Sequence, residues 1–234
     1  MFNLRNGQGN IYGGNSNIMD KKKKKERQLS KEEQKRKEDF EKLTEQLVAE
    51  GYKSNHITMG VVAANVCGIF ASLPFITLFV VLYFVMGNEM QIEVDSKQFL
   101  LADIVFLIML FVLTIAHELI HGITWSLFVK NGWKSISFGF IKEYLTPYCS
   151  CNQPMKKHQI IIGALMPTIF LGFLPGVAAV FTGSLVLLLV AIFMILAGSG
   201  DLVLTMKLLQ YKTLYKDVLF IDHPYELGTV VFER

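Results

Sequence analysis

The long uncharged runs of this chain decide its fold class. No side chain is charged from Val61 to Met86, and none from Gln159 to Gly200. From Phe99 to Ala116 the only ionisable group is Asp103. A bilayer core about 30 Å thick is crossed by roughly 20 apolar residues of helix. The last run is long enough for two crossings, and Thr182-Gly183-Ser184 is the natural turn between them. Four helical spans are therefore predicted. The first runs from Val61 to Met86, with Pro74 a candidate kink. The second runs from Phe99 to Phe128. The third holds Pro167 and Pro175, and the fourth ends near Lys207. A hydrophobic share of 52% and a mean hydropathy of +0.39 exclude an ordinary soluble domain. The expected fold is an all-α polytopic membrane protein, a four-span helical bundle with a small cytoplasmic β segment.

The flanks divide the rest. Residues 1–28 read as a disordered basic arm with five lysines at Lys21 to Lys25, which suit anionic lipid. Residues 29–52 read as a cytoplasmic amphipathic helix. Ser30 and Glu33 form a capping box, Gly51 is a stop, and Phe40, Leu43, Leu47 and Val48 make a narrow apolar stripe. That stripe suits either the membrane surface or the body of the protein. Residues 53–212 form the membrane domain and residues 213–234 a cytoplasmic tail. No cleavable signal peptide is evident in the first 60 residues. Lysines crowd the arm, the Lys130–Lys157 loop and the start of the tail, whereas the Gly87–Gln98 loop has Lys97 alone. The positive-inside rule then places both termini in the cytoplasm. Cys67, Cys149 and Cys151 form no disulfide framework. The expected partners are the lipid bilayer and a membrane protein or peptide; nucleic acid is not among them.

Inside the second span lies His117-Glu118-Leu119-Ile120-His121. Histidines four apart share one helix face, so both imidazoles can reach one metal ion. The glutamate after the first histidine is placed to act as general base on a metal-activated water. Ionisable groups at membrane depth are costly and point to function. A catalytic zinc site has three protein ligands and one open position, so a third ligand is needed. Asp201 is the candidate. His121 lies nine residues before Lys130 and Asp201 six before Lys207, about 13 and 9 Å along a helix from the cytoplasmic boundary. Gly198 and Gly200 would let the fourth helix come close to the second. The rivals are weaker: Asp103 is about four turns away, His158 reads as interfacial, His223 as a turn residue, and His56 has no evident partner. Cys149 and Cys151 alone do not complete a zinc site.

The ordered series His117-Glu118-Leu119-Ile120-His121-Gly122, Thr146-Pro147-Tyr148-Cys149-Ser150-Cys151, Ala164-Leu165-Met166-Pro167, Gly198-Ser199-Gly200-Asp201 and Asp222-His223-Pro224 resembles the "putative zincin peptidase" membrane family of bacteria. That family is similar to the site-2 proteases, which are intramembrane zinc peptidases. The resemblance implies Zn2+ held by His117, His121 and Asp201, with Glu118 as the catalytic base. It departs at Leu202, where site-2 proteases usually have glycine. The implied activity is cleavage of membrane-embedded or membrane-adjacent peptide segments near the cytoplasmic face. The alternative is a non-proteolytic membrane zinc protein for structure, sensing or metal transport, and the glutamate beside the first histidine separates the two. Ser135 to Ile141 alternates as a strand does. It suits either pairing with an extended substrate or a hairpin with Val218–Ile221 or Gly228–Phe232.

Overall fold

The computed structural model describes residues 31–89, 96–141, 146–224 and 226–234. The basic arm, Ser30 and residues 90–95 of the 87–98 loop lie outside the described residues. Three helices are each long and apolar enough to cross a membrane: α2 (Val61–Val85), α3 (Ser96–Ser126, apolar from Leu100), and a continuous run over Lys157–Thr182. That run consists of α4 (Lys157–Pro167), a wide π-turn over Thr168–Phe173, and α5 (Leu174–Thr182). A fourth crossing is available only as a bent pair, α6 (Leu185–Ala197) and α7 (Ser199–Gln210), which meet at 50°. The sequence suggested an unbroken fourth span. The Gly198-Ser199-Gly200 stretch breaks it, because glycine forms helix poorly and Gly198 both ends α6 and opens α7. Helix α2 runs on through Pro74. The turn after α5 is made by Gly183 with φ +68°, a left-handed conformation that glycine adopts without strain.

The outer faces of these helices are oily. Phe70, Leu100, Leu107, Phe111 and Phe181 are all exposed, as lipid-facing side chains are. Asp103 is also exposed on α3 and has no part in the bundle's interior.

More β structure is present than the sequence suggested. Strand β1 (Lys53–Met59) pairs antiparallel along its whole length with β5 (Leu227–Glu233), and β5 pairs with β4 (Val218–Asp222). These form a three-stranded sheet ordered β1-β5-β4. The residues just before the first span are thus a strand held by the tail. Helix α1 (Lys31–Ala49) lies on this sheet. Phe40, Leu43 and Leu47 pack with Tyr52, Ile221, Val230 and Phe232, so the stripe faces the body of the protein, while Val48 stays exposed.

The second sheet is a hairpin of β2 (Ile136–Ile141) and β3 (Thr146–Cys151). The partner of the Ser135–Ile141 segment is therefore Thr146–Cys151. It is neither of the tail strands, which pair with each other. A core of Trp125, Cys151, Met155, Ile160, Leu208, Phe220 and Val231 ties hairpin, sheet and membrane helices together. At the other end, Phe79, Tyr83, Ala179, Val180, Leu188 and Ile195 close the bundle.

Candidate metal centre

His117 and His121 stand one turn apart on α3 and are both buried. Asp201 comes from the first turn of α7, just past the Gly198 break. Its Oδ2 lies 3.2 Å from His117 Nε2 and 3.4 Å from His121 Nε2. The two Nε2 atoms are 3.2 Å apart. One donor atom from each residue falls within 4.8 Å of the other two, the only such metal-capable group among the described residues. Asp103 and His158 are exposed, away from it. His223 accepts the Glu226 N–H at Nδ1 (3.0 Å), and its ring sits 5.6 Å from that of His56. That pair belongs to the extramembrane layer.

A proline sets the orientation of His121. In an α-helix the Gly163 carbonyl would accept from the N–H four residues later, but that residue is Pro167, which has none. The carbonyl is left over, and His121 Nδ1 donates to it at 2.8 Å. A neutral His121 protonated at Nδ1 must present a bare lone pair at Nε2, toward Asp201 and His117. The ring is also stacked on Trp125, with centroids 5.0 Å apart and planes 14° from parallel. A methyl on Gly163 would overlap the Trp125 indole, 2.0 Å from Nε1, so glycine is required for this close approach.

Glu118 is supported from outside the helix bundle. Its carboxylate lies near the backbone N–H of Cys149 and within electrostatic reach of both histidines and Asp201. The hairpin comes close because Gly122 has no side chain. A methyl there would sit 2.7 Å from Phe138 Cζ and 3.0 Å from Ile136 Cγ2. In an antiparallel strand, alternate residues turn their N–H groups outward. Asn152 N–H donates inward to Ser135 O, so the Cys149 and Cys151 groups face away from β2. The first is turned toward Glu118, and the second donates to Asp222 Oδ2 at 2.9 Å. Two carboxylates thus close the outer edge of β3, leaving β2 as the open edge of the hairpin.

The opposite face of the hairpin is held by α1. Arg36 donates to Ser150 Oγ (2.7 Å) and to the Pro224 carbonyl (2.6 Å), and its guanidinium lies 4.4 Å from the Tyr148 ring centroid. Burial pushes the Asp222 carboxyl up to about 6, a rise that Arg36 partly opposes. Burial likewise raises the Cys149 thiol far above its usual range and Cys151 to about 12. Burial thus favours the protonated form of both thiols. Their strand acts here through its backbone.

The donor set fits a zinc ion with one position left open. It has two imidazoles and one carboxylate, mixed nitrogen and oxygen, with three protein ligands rather than the closed four of a structural site. Residues 110–215 match the family described as "Putative zincin peptidase". The matched segment begins in the apolar half of α3 and runs past the end of α7. It therefore contains His117, Glu118, His121 and Asp201, the hairpin and the third span with its π-turn. No curated protein and no solved structure matches the chain.

Three supporting residues escaped the sequence reading. Trp125, four after His121 on an apolar helix, carried a spacing that could have found it. Pro167, four after Gly163, was a weaker sign. Nothing in the sequence announced the Cys149 N–H.

Proposed function

We propose that this protein is an intramembrane zinc metalloprotease-like hydrolase. It cuts membrane-embedded or membrane-adjacent peptide segments near the cytoplasmic face. One observation carries the reading: three metal-capable atoms, from the buried His117 and His121 and the part-buried Asp201, gather within 4.8 Å of one another in a membrane-embedded protein. With each atom presenting a lone pair, the three together suit a cation held between them.

Zn2+ in such a site supplies a Lewis acid that acidifies water and polarises a peptide carbonyl. Glu118, with the Cys149 N–H beside it, takes the proton of the attacking water and passes it to the leaving amine. A transmembrane substrate hides its carbonyls in intrahelical bonds and must be extended before it is cut. The β2 edge suits that task. Phe138 and Phe140 are exposed there, and their backbone groups point away from β3. An extended segment pairing with β2 would extend the same hairpin whose β3 strand runs beside Glu118.

The proposal is tested on purified protein in liposomes with a tagged, membrane-anchored peptide. Chelation should stop cleavage and added Zn2+ should restore it. Cleavage indifferent to chelation would overturn the metallopeptidase reading, and zinc without cleavage of any tested peptide would favour a non-proteolytic zinc protein. The lysine distribution supports cytoplasmic termini. A reporter fused after Arg234 should be active only in the cytoplasm, and activity confined to the extracytoplasmic side would reverse the topology.

A further inference from the structure

A metal-bound histidine generally gives its second ring N–H to an outer partner, which fixes the tautomer and orients the ring. His121 has such a partner in the Gly163 carbonyl. His117 Nδ1 is buried without one. The hydroxyl of Thr168, 1% exposed, is likewise buried without a partner. Two such orphans in one interior are costly, since each forfeits its bonds to water.

They flank the same gap. A methyl added to Gly198 would lie 2.0 Å from Thr168 Oγ1 and 3.4 Å from His117 Cε1. Glycine at this position lets the Thr168 hydroxyl pack against the backbone there, on the side of the His117 imidazole. Thr168 is also the first residue of the π-turn, directly after Pro167. Wide turns of this kind recur at functional sites because they re-aim side chains. Threonine in a helix has two accessible χ1 rotamers, so its hydroxyl can swing toward the gap.

We infer that Thr168 is the positioning residue of His117: its hydroxyl, after rotation about χ1, accepts the Nδ1–H. The break at Pro167–Thr168 then serves both histidines. Pro167 releases a carbonyl for His121, and Thr168 supplies a hydroxyl for His117. The inference rests on the metal site proposed above.

The test measures Zn2+ and Co2+ affinity of the full chain in detergent, by competition with a chelator. Loss of an outer partner costs about 10–100-fold in metal affinity. Thr168→Val should fall by that factor, Thr168→Ser should bind as the parent does, and the Co2+ absorption spectrum of Thr168→Val should shift. The metal-free Thr168→Val protein should melt no lower than the parent, because a methyl replaces an unsatisfied hydroxyl. A merely structural threonine would instead lower the melting temperature and leave affinity and spectrum alone. Should Thr168→Val not be recovered folded, Thr168→Ala carries the same expectation for affinity. Parent-like affinity in the folded valine or alanine variant would overturn the assignment of Thr168 alone. A parent that binds neither ion would overturn the metal site itself.

Discussion

Glu118→Gln is expected to keep zinc and fold while losing nearly all cleavage of a membrane-anchored peptide. Glutamine has the same length, and its carbonyl keeps an acceptor beside the Cys149 N–H. It cannot take a proton from water at neutral pH. General base catalysis is typically worth about 10²–10⁴-fold, so about 3–5 kcal/mol should return to the barrier. The measurement is single-turnover cleavage alongside metal content on the same preparation. A structural or transport site would tolerate the change, because a neutral amide is cheaper to bury than a carboxylate. Product released at the parent rate, with zinc still bound, would remove Glu118 from the chemistry.

His121→Ala and Asp201→Ala should each abolish stoichiometric zinc. Each removes one of three donors drawn from two helices, leaving two. The loss should exceed the roughly 10–100-fold that goes with an outer partner. Metal analysis of the purified variants decides it. The result fatal to this ligand set is full zinc in Asp201→Ala together with loss in His223→Ala. The structure makes that outcome unexpected, because His223 is engaged with Glu226 in the extramembrane layer.

How much of this was legible beforehand depended on whether the cause was local. Apolar runs and the His117–His121 spacing are local, so the membrane helices and two of the three gathered donors could be read directly. Asp201 was reachable by matching depths along two helices, an argument needing only the rise per residue. The Gly198 break was visible as three residues but was read as a close-packing device. Gly198 indeed faces His117 and Thr168, whereas Gly200 has nothing within 4 Å. The β layer was poorly legible because its pairing is non-local. Strand β1 finds its partner at the far end of the chain, and its alternation is hidden beside an apolar span. The Ser135–Ile141 strand was recognisable by its period, but a period cannot name a neighbour. Thr146 to Cys151, with a proline and two cysteines, carries little strand signal of its own.

The Arg36 clamp has a mechanical consequence. The three metal donors stand on helices that lipid and mutual packing hold in place. The proposed base, by contrast, is braced by a strand whose other face is gripped from a helix outside the bundle. On the proposed function, holding the ion and aiming the base are therefore tasks of two layers that can come apart independently. Loosening the outer layer would leave a protein still loaded with metal yet idling, its throttle disconnected from an intact engine.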